Sequence, residues 1–222
     1  MSDKENVTSY SIYNEKAKRK RKINPLDVLF QALPNKKYDI IYADPPWHYR
    51  GKMQYDLTGM KKHNKNYEEK DIFISSASFK YPTVKLEDLK TLDVDSIASE
   101  DCLLYMWTTG PQMSNAIELG KAWGFDYTTV GFVWDKMMHN PGHYTLSQTE
   151  FVLIFKKGRI PKPRGARNVR QFVQIPRGKH SEKPKEVAEN IVKMFPTQSK
   201  IELFARDRLK GWDVWGLEAP PK

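Results

Sequence analysis

The sequence predicts an α/β fold, a sheet with helices on both faces, from three observations. Five short runs are β-branched or aromatic and bounded by charge or glycine, as buried strands are: residues 38–43, 102–107, 128–134, 150–156 and 200–205. Four segments carry apolar residues at helical spacing: 25–33, 85–92, 112–123 and 184–194. The two patterns alternate along the chain, the order expected of strand–helix units packed on one sheet. In the last helix Val187, Ile191 and Met194 share a face, and Pro184 sits where a first turn tolerates the missing N–H. Two long polar stretches, roughly 48–80 and 156–182, interrupt the alternation and read as functional lids or disordered loops.

The chain has 222 residues, of which 39% are hydrophobic and 29% charged, so a single medium domain can bury a core without disulfides or metal. The longest apolar core run, residues 151–155, is too short to span a membrane, and the polar opening Met1-Ser2-Asp3-Lys4-Glu5 does not read as a secretory signal. Cys102 is the single cysteine, which excludes an internal disulfide and a cysteine-based zinc site. These features predict a soluble protein of a reducing compartment. No metal-ligand spacing is found among the histidines, so no metal is expected.

Charge is distributed unevenly. Residues 156–185 hold eleven Lys and Arg against Glu182 alone, a surplus of +10 that equals the net charge of the whole chain. Residues 1–22 hold seven basic and three acidic side chains and read as a mobile arm, with the folded domain expected over 23–222. A polyanion, meaning nucleic acid, suits such concentration; a plain solvated face is the alternative.

In parallel-sheet proteins ligands bind past the carboxyl ends of the strands. No two of the twelve glycines are spaced G-x-G, and no phosphate-cradling G-x-x-x-x-G-K-[ST] occurs, so a nucleotide-like cofactor must be held differently. The first strand runs directly into Asp44-Pro45-Pro46-Trp47. By composition that tetrapeptide arises by chance in roughly one chain of this size per few thousand. The prolines lack N–H groups, so their carbonyls are expected not to be tied up locally and the turn is stiff, leaving the Asp44 carboxylate and the Pro45 carbonyl as two fixed acceptors. Two acceptors can direct both N–H bonds of an exocyclic amine and turn its lone pair toward an electrophile. Trp47 offers a stacking face worth about 1–3 kcal/mol to a flipped or single-stranded base.

Asp-Pro-Pro-Trp after a hydrophobic strand resembles the adenine-N6 methyltransferases related to the catalytic subunit of the eukaryotic messenger-RNA adenosine methyltransferase. Further matching elements come in the family's order: Tyr81-Pro82-Thr83, the run Leu103 to Thr109, Trp123-Gly124-Phe125, Gly142-His143-Tyr144, Glu150, His180-Ser181-Glu182-Lys183-Pro184 and Ile201 to Arg206. The resemblance covers residues 38 to 216. It implies a Rossmann-like, S-adenosylmethionine-dependent sheet with a permuted motif order, and methyl transfer to the N6 amine of adenine, in DNA rather than RNA for a compact bacterial or phage-type cytoplasmic member. RNA methylation and a non-catalytic, nucleic-acid-binding partner subunit are the competing readings.

Residue by residue, the resemblance implies that Asp44, Pro45, Pro46 and Trp47 form the catalytic motif. Trp47 and Tyr81 would flank the base, with His143, Glu150, Arg177 and Ser181 lining the substrate side. Lys183 at a helix start suits the cofactor's carboxylate. Glu202, Phe204, Arg206 and Arg208 fall at its ribose and methionine ends, with Asp27 nearby. Lys162, Arg164 and Arg167 would take phosphates, and the 156–182 loop is the place for a homodimer or related-subunit contact. Trp215-Gly216-Leu217 departs from the Trp-Gly-Asn common in bacterial relatives, which puts the cofactor contact at Leu217 in question.

Overall fold

The structure is a computed structural model, and it describes residues 26–27, 30–48, 83–140, 144–178, 182–217 and 219. Two compact units are distinguished, residues 1–30 with 46–89 and residues 31–45 with 90–222.

The larger unit is a seven-stranded sheet in the order β5-β3-β4-β2-β1-β6-β7. Its strands are β1 (Tyr38–Ala43), β2 (Ala98–Thr108), β3 (Asp126–Asn140), β4 (Ser147–Lys157), β5 (Phe172–Gln174), β6 (Lys200–Leu203) and β7 (Asp213–Trp215). β1 pairs in parallel with β2 and β6, β6 with β7, and β3 with β5, whereas β4 runs antiparallel to both β2 and β3. The sheet is therefore mixed, not wholly parallel. Only a few residues separate β3 from β4, too few for a crossover helix, so the two form a hairpin. One edge of the sheet thus collects the carboxyl ends of six strands and the amino end of β4. Asp44, Asp135, Gln174 and Phe204 belong to that edge, together with the first residues of β4.

Both faces are covered, as the sequence predicts. On one face Ile40, Tyr42, Leu103, Tyr105, Trp107, Phe132 and Trp134 pack with Val187, Ala188, Ile191 and Phe195. The first three of those partners lie on a helix, Lys185–Met194, whose apolar residues recur at three- and four-residue intervals. Leu104 is in register with Phe155 and Tyr105 with Ile154, so Leu104 and Phe155 face the other way. There the helix Met113–Ala122 approaches so closely that a Cβ on its Gly120 would lie 2.2 Å from the Phe155 ring. That helix ends where Gly124, at φ +86°, lets Phe125 N–H donate to Gly120 O and Gly124 N–H to Lys121 O. In chain order, α1 is Leu86–Leu89 of the smaller unit, α2 is Met113–Ala122 and α3 is Lys185–Met194.

Several expectations are corrected. The helix expected at 85–92 is the single turn α1. Within 25–33, Leu26 and Asp27 are helical and Phe30 N–H donates to Leu26 O, but residues 31–33 are not helical. The strand expected to reach Ala205 stops at Leu203, because Phe204 turns to φ +62°. The polar stretch from 156 is not a free lid. It completes β4, contributes β5 and buries Val173. The arm at 1–22 and residues 49–80 lie outside the described residues. Among the described residues no helix is long and apolar enough to cross a membrane.

Candidate functional site

Asp44 is the first residue past β1, with its N–H directed at Leu203 O of the neighbouring β6. Lys183 immediately precedes Pro184, the N-cap of α3, and α3 packs on the face that carries Tyr42 and Trp107. These placements bring together side chains 139 positions apart. Lys183 Nζ lies 3.0 Å from Asp44 Oδ2 and 3.4 Å from Glu150 Oε2. Glu150, near the start of β4, also meets Lys136 Nζ at 3.4 Å through its other oxygen. The result is a row of alternating charges, Lys136, Glu150, Lys183 and Asp44, all largely shielded from solvent.

The row rests on aromatic rings. Lys183 Nζ stands 5.5 Å from the Trp107 ring centroid, a cation–π distance. Trp107 meets Trp134 edge-on at 5.9 Å and donates its Nε1–H to Tyr42 Oη. Burial, and then the Glu202 charge, holds the Tyr42 hydroxyl well above its ordinary range, so it stays protonated.

Glu202 lies on β6, beside β1. Burial first, then the charges of Asp44 and Asp207, push its carboxyl up to about 7. A buried carboxylate beside two like charges suits a ligand bringing hydroxyls and positive charge. Phe204 follows at positive φ with its ring edge-on to Trp215 at 5.3 Å. Gly216 passes against this turn so tightly that a Cβ would lie 2.7 Å from Ala205 O. Arg206, Arg208 and Leu217 are exposed beyond it, and Asp207 is 3.8 Å from Lys185 on α3.

Sequence reasoning missed Lys136 and Asp135. β3 bulges here: Asp135 and Asn140 pair with Thr149 and Ser147, so four β3 residues stand opposite Gln148 alone. Asp135 accepts from Gln148 Nε2 at 2.6 Å, from Met137 N–H at 2.9 Å and from Gln174 Nε2 at 3.0 Å. The Gln148 bond first, with the Met137 N–H, holds its carboxyl below the usual range. A lysine turned inward and a carboxylate saturated with donors have no periodic signature in a strand.

The other expected residues are dispersed. Arg177 is exposed, but its N–H donates to Lys136 O, which keeps it on the same sheet edge. Arg164 lies 5.5 Å over the Phe195 ring, while Gly165 and Ala166 donate to Met194 O and Lys193 O. This tethers 164–166 to the last turn of α3, about 15 Å along the helix from Lys183. Lys162 and Arg167 are exposed on the same segment. Pro46 and Trp47 belong to the smaller unit, as does the exposed Asp27. There the Pro46 carbonyl accepts from Val84 N–H at 2.8 Å, and so is tied, contrary to expectation; Trp47 is buried. Tyr81, His143 and Ser181 lie outside the described residues. Among the described residues no group of three His, Cys, Asp or Glu side chains could hold a metal ion.

Residues 38–218 match the MT-A70 family. The chain is 67% identical over 214 residues to type II methyltransferase M.MunI of Mycoplasma sp, covering 96% of this chain and 91% of that protein. It is 24% identical over 204 residues to the N(6)-adenine-specific methyltransferase METTL4 of Mus musculus, 82% of this chain and 38% of that one. Over 178 residues it is 25% identical to an N(6)-adenosine-methyltransferase MT-A70-like protein of Arabidopsis thaliana, 76% of this chain and 22% of that one.

Proposed function

The chain belongs to the MT-A70 family, and from that premise we propose that it transfers a methyl group from S-adenosylmethionine to the N6 amine of an adenine in DNA. The observation that carries this reading is the Asp44 carboxylate at the edge of β1, paired with Lys183, which is also shared by Glu150. DNA is favoured over RNA because the type II methyltransferase matches nearly end to end at 67% identity. The adenine- and adenosine-modifying relatives match at 24–25%, and the chain spans less than half of their length. On this reading the enzyme works in the cytoplasm of a bacterial or phage-infected cell.

The residues at the sheet edge fit the cofactor. Glu202, beside Asp44 and Asp207, would accept its ribose hydroxyls and face its positive charge, while Lys183, Arg206 and Arg208 would serve its carboxylate end. When bound, the cofactor supplies a methyl group on a sulfonium, a carbon electrophile with a neutral leaving group. Asp44 accepts an N–H of the adenine amine and fixes its direction. The amine needs no strong base, since its proton becomes acidic only as the bond to carbon forms. Catalysis is then alignment by fixed acceptors. Asp44 can turn to the amine without leaving Lys183 an unpaired buried cation, because Glu150 already holds the same ammonium. Tyr81, and Trp47 once uncovered, would supply the base-stacking faces, and the basic 156–185 stretch would take the phosphates. The 156–182 loop within it is the alternative place for a second copy or a related subunit to dock.

The test is incubation with methyl-labelled S-adenosylmethionine and matched DNA and RNA, followed by nucleoside analysis. Label in N6-methyldeoxyadenosine is expected, lost at least a hundredfold in Asp44→Asn with cofactor affinity little changed. Label in RNA only would overturn the choice of DNA, and Asp44→Asn activity within tenfold of wild type would overturn the role of Asp44.

A further inference from the structure

The β3 bulge has two sides. Inward it sends Lys136 to Glu150. Outward it leaves Met137 and Met138 exposed at 55% and 52%, and Tyr144 and Leu146, across the hairpin, are exposed at 99% and 62%. Met137 is held at φ +54°, a left-handed conformation uncommon for a non-glycine residue. Its N–H is fixed there by Asp135, itself braced by Gln148 and Gln174 from the strands on either side. A strained backbone held by three hydrogen bonds, presenting large apolar side chains to water, is a feature that packing alone does not call for.

The position indicates what meets it. The bulge lies on the sheet edge that carries Asp44, Glu150 and Lys183. Along its flank runs the most basic part of the chain, because β5, inside 156–185, pairs with Val133–Asp135 and Arg177 N–H donates to Lys136 O. Apolar tips flanked by cations suit stacked bases between phosphate backbones. A second copy of this face would bring like charges together.

Resting on the reading that the substrate is adenine in DNA, we propose that the β3–β4 hairpin is a duplex-opening wedge. Met137 and Met138, with the exposed Tyr144 and Leu146 of the other arm of the hairpin, insert into the base stack next to the target and fill the space it vacates. An adenine inside a duplex cannot reach Asp44 until it is unstacked, and apolar side chains entering a base step are a known way to hold such an opening.

The test compares the wild type with Met137→Asn/Met138→Ser, in which asparagine tolerates the left-handed backbone and the apolar tips are removed. Met137→Leu/Met138→Leu keeps the apolar volume. Each is given PCR-made, unmethylated double-stranded DNA. Permanganate reactivity of thymines reports unpaired partners of flipped adenines, and labelled S-adenosylmethionine reports transfer. In the polar variant both signals should fall at least tenfold, with DNA affinity within threefold of wild type, and the leucine variant should retain both. Unchanged permanganate reactivity in the polar variant would overturn the wedge. So would loss of DNA affinity as large as the loss of transfer, or a changed sedimentation coefficient, which would mark the hairpin as a docking surface. A wild-type protein that makes no N6-methyladenine in duplex DNA would overturn the underlying reading, and the wedge with it.

Discussion

Replacing Glu202 by Gln should stabilise the unliganded protein at neutral and alkaline pH, by an amount the site's electrostatics set. Burial and the neighbouring Asp44 and Asp207 charges raise the Glu202 carboxyl from 4.5 to about 7. Below pH 4.5 it is protonated in both folded and unfolded chains, and its ionisation has no effect on stability. As pH rises from about 4.5 to 7 the unfolded chain loses this proton first, so the folded state binds more protons and stability falls. Above about 7 the loss is complete and amounts to about 3 kcal/mol. Glutamine has the shape of the protonated acid and no such titration. Urea unfolding of both proteins at a series of pH values from about 4 to about 8.5 measures the difference. The stability of Glu202→Gln relative to wild type should climb by about 3 kcal/mol from the acid end of that series to the alkaline end, with similar denaturant slopes. A difference independent of pH would refute the reasoning, and would mean that Glu202 is solvated or matched by a cation.

Three other outcomes are expected. Gly120→Ala should destabilise by about 1–3 kcal/mol in urea unfolding despite alanine's better helix propensity, because its methyl would enter the buried Phe155 ring. Lys136→Met should weaken cofactor binding several-fold by calorimetry, since Glu150, released by Lys136, then draws Lys183 toward itself and away from the carboxylate it is proposed to hold. Arg164→Ala should reduce stability by about 0.5–1 kcal/mol through its lost contact with Phe195. It should reduce the salt dependence of DNA binding less than Arg167→Ala, because the Arg164 guanidinium, though its residue is exposed like Arg167, is already engaged over the Phe195 ring.

The central strands were legible because both of their faces are covered, which writes a continuous apolar run into the chain at residues 38–43 and 102–107. The same property hid direction: an apolar run such as 151–155 reads alike in either sense, so the antiparallel setting of β4 emerges only from its hairpin with β3. β5 and β7, three residues each, are too short to show alternation. In the site, Asp44, Glu150, Lys183 and Glu202 were expected from motif resemblance, and the sheet brings the first three into one row. Lys136 was not, because its meeting with Glu150 depends on a bulge. Arg164 shows a different limit: a basic residue in a basic stretch suggests phosphate, and only the structure shows that its guanidinium also lies over a phenylalanine ring.

The place of β1 in the sheet also bears on how the chain is made. Its two neighbours are β2, which starts at Ala98, and β6, which starts at Lys200. A ribosome adding about 5–20 residues per second leaves the second side of β1 open for roughly 8–30 s after Ala43 has been joined. Throughout that interval a run of Tyr, Ile, Ile and Tyr offers unmatched N–H and C=O groups to any other nascent strand. Yield of native enzyme should therefore fall with crowding of polysomes and recover when a chaperone is present, because the strand that carries Asp44 is among the first made and among the last enclosed.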